Sequence, residues 1–165
     1  MQRAQFGPWK IAYDREATRA AYERMEPYGC TCQGCRNYLA NIPAFPEEVL
    51  LLFERLGISP EKPMEVFRNG KDGLICYSGW YHLVGKYISG NDTNYIVPKK
   101  YRRSFKKAVK HSRAYAPQWL SVADHFEVGF TRTIDLQPDA IPPEQTLQME
   151  ISFQLPWLLD EPYTE

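Results

Sequence analysis

The pattern of apolar and polar residues predicts an amphipathic helix near the start of the chain. Ala17, Ala21 and Met25 recur every four residues, a spacing that places their side chains on one face of a helix. Asp14 stands directly before this stripe, and aspartate is a favoured helix N-cap. The sequence therefore predicts a helix over Arg15–Met25, after a short segment Trp9–Tyr13 that is either a strand or an extended arm.

The best-marked helix is predicted over Pro46–Leu56. Proline is tolerated in the first helical turn, and the two glutamates that follow it favour the positive end of the helix dipole. Gly57 is placed to end the helix in a left-handed conformation, and Pro60 prevents its continuation. The predicted apolar face consists of Val49, Leu50, Phe53 and Leu56. A shorter helical stretch is predicted at Arg36–Ala40.

After Pro63 the pattern changes to one typical of strands. Two segments, Met64–Arg68 and Leu74–Ile88, flank a turn-rich loop at 69–73 and predict a β-hairpin. Gly79 and Gly85 within the second segment indicate a bulge or a close approach of another backbone.

The C-terminal third predicts a long antiparallel strand pair. Apolar residues alternate with polar or small ones in two segments, which indicates strands with one buried face. The alternating apolar residues are Phe126, Val128 and Phe130, then Leu147, Met149, Ile151, Phe153 and Leu155. Helices early and strands late favour an α+β fold, with N-terminal helices packed on a mainly antiparallel β-sheet. The length of 165 residues fits one domain over residues 1–165.

Charge and hydropathy exclude some functional classes. The formal net charge is zero, so no field of the whole protein attracts nucleic acid or an anionic membrane. The polar start of the chain, Met1–Lys10, does not resemble a signal peptide, and the longest apolar run, Val49–Phe53, is too short to span a bilayer. We therefore expect a cytoplasmic protein without a membrane partner, in which cysteines are reduced thiols or metal ligands.

Cations are concentrated in a predicted basic helix at 99–113. A basic helix can neutralise phosphates, and Tyr101 could stack on a base, so binding of nucleic acid is one alternative function. An apolar stripe that includes Tyr101 and Phe105 instead indicates a helix docked on a core with its charges in water. No nucleic-acid-binding module is recognisable, and we do not expect nucleic acid to be the main partner.

Four motifs together resemble a known family. They are Cys32-x-x-Cys35-Arg36-Asn37, Leu56-Gly57-Ile58-x-Pro60-x-Lys62, Gly79-Trp80-Tyr81-His82-x-Val84-Gly85 and Pro156-Trp157-x-Leu159-x-Glu161-Pro162. In order and spacing the chain resembles a bacterial family of uncharacterised proteins, from about Trp9 to Pro162. The resemblance implies a bacterial cytoplasmic protein that forms one unit, and it brings no reaction, ligand or catalytic residue.

The clearest candidate chemistry is a cluster of cysteines at Cys30, Cys32 and Cys35. Thiolates are strong ligands for zinc, and a loop with glycines at positions 29 and 34 can fold several sulfurs around one ion. A closed structural site needs a fourth ligand, and the sequence has no second closely spaced ligand pair. The candidates for that ligand are Cys76 first, then His82, His111 and His125.

The same cysteines allow two other interpretations. Cys32 and Cys35 form a Cys-x-x-Cys pair before a helical stretch, where a helix N-terminus favours the thiolate and thiol redox activity. The βαβ pattern expected around a thioredoxin-like motif is absent. Alternatively, the cysteines are free thiols that pack as small apolar residues.

A second candidate site is the aromatic strand around Trp80, Tyr81 and His82. Trp80 and His82 share one strand face, and they could line a ligand pocket in which the histidine contacts a ligand or moves a proton. Equally, Trp80 could belong to the core and His82 could satisfy a buried backbone carbonyl. His125 and Glu127 alternate with apolar residues and are expected to face solvent.

No other catalytic motif is present, which leaves open whether the protein is an enzyme. The sequence favours a non-enzymatic binding or structural domain, and it is compatible with stabilisation of that domain by zinc at the cysteine cluster. The alternatives are a small enzyme, with a pocket at Trp80 and His82 or a redox thiol at Cys32 and Cys35, and a nucleic-acid-binding protein. The sequence is compatible with a homo-oligomer but does not predict one.

Overall fold

The computed structural model describes residues 1–69, 74–93 and 118–164, together with residues 100, 103, 104, 106, 107 and 110. Most of the predicted basic helix 99–113, including His111, lies outside the described residues, as does the hairpin loop 70–73.

Three α-helices and seven strands make up the described fold. The helices are α1 (Arg15–Arg24), α2 (Gln33–Asn41) and α3 (Glu47–Leu56). The strands are β1 (Gln2–Phe6), β2 (Trp9–Tyr13), β3 (Glu65–Asn69), β4 (Leu74–Ser89), β5 (Leu120–Ala123), β6 (Phe126–Thr131) and β7 (Thr146–Pro156). Short 3-10 turns occupy Ile42–Ala44 and Pro143–Gln145. The prediction of an α+β fold, with N-terminal helices on an antiparallel sheet, is confirmed.

The sheet is organised around the long strand β4. Its order is β1-β2-β4-β7-β6-β5, and all of its pairings are antiparallel. One edge of β4 pairs with β7 from Leu74 to Val84. The other edge pairs with β3 in its first half and with β2 in its second half. The predicted hairpin of β3 and β4 and the predicted pair of β6 and β7 are both confirmed.

Glycines allow the neighbouring backbones to approach β4 closely. A Cβ atom at Gly79 would lie 2.3 Å from the carbonyl oxygen of Glu65, and one at Gly85 would lie 2.7 Å from that of Ala12. The predicted close approach at both positions is thus confirmed.

Helix α1 closes the gap on β4 between β3 and β2. The backbone N–H of Val84 donates to Thr18 Oγ1 at 3.0 Å, and its carbonyl accepts from the N–H of Asp14 at 2.9 Å. The hydroxyl of Tyr22 donates to the carbonyl of His82 at 2.9 Å. Backbone groups of β4 that have no strand partner are therefore satisfied by the first helix, as burial requires.

The helices cover one face of the sheet and form the core with it. Tyr81 on β4 lies at its centre, where its ring packs edge-on against Phe53 at 4.9 Å. The hydroxyls of Tyr38 and Tyr81 are 2.7 Å apart, and that of Tyr81 donates to the carbonyl of Pro60 at 2.7 Å. Every buried tyrosine hydroxyl in this chain of contacts therefore has a partner, so the aromatic rings can be buried without loss of hydrogen bonding.

The start of α1 and the end of α3 follow the predicted signals, whereas α3 begins at Glu47, so that Pro46 is its N-cap and not its first residue. Asp14 Oδ1 accepts from the N–H of Ala17 at 3.0 Å and caps α1. Gly57 ends α3 with a φ of 76°, in the left-handed region. The predicted apolar face of α3 needs one correction: Leu50 is 36% exposed, whereas Leu52 is buried. None of the helices in the described part of the chain is long and apolar enough to cross a membrane.

Candidate functional site

The cysteine cluster lies where the loop after α1 enters α2. Helix α2 begins at Gln33, three residues earlier than predicted, so Cys32 is its N-cap and Cys35 lies in its first turn. Cys32 Sγ accepts a hydrogen bond from the backbone N–H of Cys35 at 3.5 Å. The thiol thus takes the capping position that a serine or aspartate oxygen usually occupies.

Three cysteine sulfurs converge at this point. The Sγ atoms of Cys30, Cys32 and Cys35 all lie within 4.8 Å of one another, and those of Cys30 and Cys32 are 3.5 Å apart. Two sulfurs bound to one tetrahedral zinc ion at about 2.3 Å are roughly 3.8 Å apart. Three cysteines are therefore close enough to hold one metal ion.

The three thiols differ in exposure and acidity. Cys30 and Cys32 are exposed, whereas Cys35 is buried. The hydrogen bond from the N–H of Cys35 lowers the pKa of the Cys32 thiol, because it stabilises the thiolate. Burial raises the pKa of the Cys35 thiol to about 12. The cluster therefore presents an accessible, acidic thiol beside a protected one.

Tyr28 lines the buried side of the cluster. Its hydroxyl lies 3.4 Å from Cys35 Sγ and donates to Glu65 Oε1 at 3.2 Å. The same carboxylate oxygen accepts from the N–H of Val66 at 3.1 Å. Sequence reasoning missed Tyr28 and Glu65, because nothing in a linear pattern shows that β3 packs behind the cysteine loop.

Cys76, the first candidate for a fourth ligand, does not join the cluster. It is exposed on β4, where its neighbours in the sheet are Asn69 and Gln154. The next residue, Tyr77, points towards α2 and donates to the carbonyl of Gly34 at 3.1 Å. Since side chains alternate along a strand, Cys76 faces the opposite side of the sheet.

The two described histidines, His82 and His125, do not lie with the three sulfurs. His82 is buried and its Nε2 contacts Gln148 Oε1 at 3.0 Å. His125 is exposed in the β5–β6 turn, as predicted, and His111 lies outside the described residues. Within the part of the chain that the structure describes, no fourth cysteine, histidine, aspartate or glutamate belongs to the cluster.

The C-terminal segment holds the first turn of α2 in place. Arg36 forms an ion pair with Glu161, and Gln33 Nε2 donates to the other carboxylate oxygen of Glu161 at 3.0 Å. The remaining guanidinium edge of Arg36 donates from Nε to the carbonyl of Thr31 at 3.1 Å. These contacts link the Cys-Arg-Asn motif to the C-terminal Pro-Trp motif and fix the backbone that carries Cys32 and Cys35.

The second predicted site is divided between the two faces of the sheet. Tyr81 is buried against the helices, whereas Trp80 and His82 lie on the other face. Trp80 Nε1 donates to the carbonyl of Asp135 at 3.1 Å, and Gln148 links His82 to the same loop. These contacts show how both side chains take part in packing the 132–141 loop on the sheet. The predicted ligand pocket stays a prediction.

Comparison of the chain with protein-family models, with curated proteins and with solved structures finds no match for it. The fold and the cysteine cluster are therefore the basis for a functional proposal.

Proposed function

We propose that the chain is a non-enzymatic binding domain whose cysteine loop holds a zinc ion. The observation that carries the proposal is the convergence of the Cys30, Cys32 and Cys35 sulfurs within 4.8 Å of one another. Thiolates are soft ligands that bind zinc strongly, and the N-terminus of α2 favours the negative charge that the deprotonated sulfurs bring.

Zinc would stabilise a segment that the fold otherwise holds weakly. Residues 26–31 have no helix or strand, and most of their side chains are exposed. An ion bound to Cys30 and to the first turn of α2 closes this segment, and its binding free energy adds to the free energy of folding. In a reducing cytoplasm the thiols stay reduced and are available as metal ligands.

Metal content and thermal melting test the proposal. Protein purified without chelator is expected to contain one equivalent of zinc, and a chelator is expected to lower its melting temperature. Each of the variants Cys30→Ser, Cys32→Ser and Cys35→Ser is expected to lose stoichiometric zinc. Cys76→Ser is the matched control and should retain it, because Cys76 lies on the opposite face of the sheet.

One outcome of these measurements would contradict the proposed zinc site. Four titratable thiols in metal-free protein, together with melting that neither added zinc nor chelator changes, would rule out the zinc site.

A second candidate function is thiol–disulfide exchange at Cys32 and Cys35. The observation that favours it is the difference in exposure between the two thiols. An exposed thiol can attack a substrate disulfide, and the buried thiol can then attack the resulting mixed disulfide and release the substrate. Metal-free protein treated with glutathione disulfide should form a Cys32–Cys35 disulfide and release two glutathione molecules. Cys35→Ser in a Cys30→Ser background should instead trap glutathione on Cys32, as measured by mass spectrometry; Cys30 must be replaced as well because its sulfur lies 3.5 Å from that of Cys32 and could release the glutathione. Glutathione on Cys30 or Cys76 alone would contradict this function.

A further inference from the structure

The side chain of Arg68 lies against the first turn of α2, at the glycine between Cys32 and Cys35. A Cβ atom on Gly34 would lie 3.0 Å from Arg68 Cδ and 3.3 Å from Arg68 Nε. On the same turn, Cys35 Sγ lies 4.0 Å from the carbonyl oxygen of Val66, two residues before Arg68 on β3. Residues two apart on a strand share a face, so Val66 and Arg68 approach the cysteine loop from the same side.

The guanidinium of Arg68 has no anionic partner among the described residues. Its Nη2 donates to the carbonyl of Thr164, and Cζ lies 4.6 Å from the ring centre of Tyr163 and 5.8 Å from that of Trp157. Its Nη1 is buried and has no hydrogen-bond partner in the described part of the chain. Ring faces attract a cation, but they do not neutralise its charge, and a buried charge is costly without a counterion.

The other charged groups around the cysteines leave the occupied site negative. Arg36 forms an ion pair with Glu161, so these two charges cancel. Glu65 adds a carboxylate behind Tyr28. Three thiolates and one zinc ion carry a net charge of about −1. The unpaired positive charge of Arg68 therefore has the sign that an occupied site needs.

We infer that Arg68 is a positioning residue of the cysteine site, whose guanidinium supplies the countercharge for the thiolates of Cys32 and Cys35. This inference rests on the proposed zinc site and identifies the cation that stabilises it from behind the ligands. Groups behind the direct ligands of a metal ion typically change its affinity about 10–100-fold.

Two substitutions at position 68 separate the charge of the side chain from its packing. Arg68→Met keeps an apolar stem without the charge, and it is expected to weaken zinc binding about 10–100-fold, as measured by competition with a chromophoric chelator. Arg68→Lys keeps a positive charge without the planar guanidinium, and its affinity should stay within about threefold of the wild type. Arg3→Met removes a cation from the exposed part of β1 and should leave the affinity unchanged. Equal affinities of the wild type and Arg68→Met would overturn the inference, and so would equal losses in Arg68→Met and Arg68→Lys.

Alkylation of the full chain without metal gives a readout that a merely structural role would not change. Iodoacetate and iodoacetamide both react with the Cys32 thiolate, but only iodoacetate is an anion. The ratio of their rates, with the label assigned to Cys32 by fragment mass spectrometry, therefore reports the local charge. At low ionic strength this ratio should fall on the order of fivefold in Arg68→Met, and added salt should reduce the difference. Arg68→Lys and Arg3→Met should keep the wild-type ratio, and an unchanged ratio in Arg68→Met would contradict the countercharge.

A further variant shows whether the end of the chain neutralises Arg68. Glu165 follows Thr164 and lies outside the described residues. Glu165→Gln is expected to leave the alkylation ratio unchanged. An increase would show that the Glu165 carboxylate already pairs with Arg68, which would also overturn the inference. Absence of zinc binding in the wild type would instead contradict the proposed zinc site, and the alkylation ratio would still decide the role of Arg68.

Discussion

Asn37 Oδ1 accepts a hydrogen bond of 2.7 Å from the backbone N–H of Leu158, at the point where β7 leaves the sheet. The amide nitrogen of the same side chain donates to the hydroxyl of Tyr77 and to the carbonyl of Pro156, both at 3.0 Å. Asn37 is fully buried. One side chain of α2 therefore fixes both the central strand and the start of the C-terminal segment, directly beside the cysteine cluster.

Replacement of Asn37 by alanine is expected to destabilise the protein by about 2–4 kcal/mol. The change leaves the N–H of Leu158 without its partner, at a cost of about 1–3 kcal/mol. It also removes one of two partners from the Tyr77 hydroxyl and from the Pro156 carbonyl, which keep Gly34 and Asn41. Chemical denaturation measures the difference. Gln154→Ala, an exposed substitution on β7, is the control and should stay within about 0.5 kcal/mol of the wild type. Equal stability of the two variants would show that these hydrogen bonds contribute little.

The motifs behind the family resemblance have structural roles in this fold. Gly57 caps α3, and Lys62 Nζ donates to the carbonyls of Tyr22 and Met25 at the end of α1, at 2.8 and 2.7 Å. Gly79 gives β3 room to pair with β4. These motifs therefore report how the helices and the sheet are joined. Cys32 caps α2 and Cys35 is buried in the core, so their spacing also fits the packing, whereas Cys30 is exposed.

Helices and strands with strong local signals were predictable from the sequence. The cap at Asp14, the left-handed glycine at position 57 and the alternation in β6 and β7 are each decided by residues close together in the chain. Local sequence was sufficient for these elements because their start and end signals lie within a few residues of the element itself.

Other elements depend on contacts that are distant in sequence. Strand β1 has one buried residue, Phe6, so its apolar pattern is too weak to predict a strand. The start of α2 was missed because cysteine is an unusual N-cap. The choice among fourth ligands required knowing which face of the sheet the helices cover, and that is a property of tertiary packing. The sequence could not show that Cys76 lies on the opposite face of the sheet from the other three cysteines.

Thr18 is expected to be essential for the edge of β4 that lacks a strand partner. Its buried hydroxyl accepts from the N–H of Val84 at 3.0 Å and donates to the carbonyl of Asp14 at 2.7 Å. Thr18→Val keeps the shape but leaves the Val84 N–H unpaired, which should cost about 1–3 kcal/mol in the free energy of unfolding. Thr31→Val makes the same chemical change at an exposed site and should be close to neutral. A small effect for both variants would mean that Val84 finds another acceptor.

The free energy of unfolding is expected to decrease as the pH is lowered, because of His82. Burial lowers the pKa of this histidine, whose Nδ1 has no hydrogen-bond partner among the described residues. Below about pH 6.5 the unfolded chain binds a proton at this histidine, whereas the folded protein does not until a lower pH. The unfolded state therefore binds more protons, and stability decreases as pH falls, by at most about 1.4 kcal/mol per pH unit.

A glutamine at position 82 tests this pH dependence. His82→Gln keeps a donor towards Gln148 but does not titrate, so its stability should vary less between about pH 7 and 5 than that of the wild type. Urea denaturation at each pH gives the comparison. His125→Asn removes an exposed histidine from a turn and should retain the wild-type slope. If stability depends on pH equally in the wild type and in His82→Gln, the pH dependence does not come from His82.

Gly57 is expected to be far less replaceable than Gly29. A Cβ atom at position 57 would lie 2.2 Å from the carbonyl oxygen of Arg15, and the φ of 76° disfavours any residue with a side chain. Gly57→Ala should therefore lower the free energy of unfolding by at least about 2 kcal/mol, because the contact between α1 and α3 must shift. A Cβ atom at position 29 meets nothing within 4 Å, so Gly29→Ala should be neutral. Thermal melting of both variants measures the contrast. If Gly57→Ala melts at the same temperature as the wild type, α1 and α3 can move apart here without a loss of stability. The helix pair is then not held as closely as its backbone contact indicates.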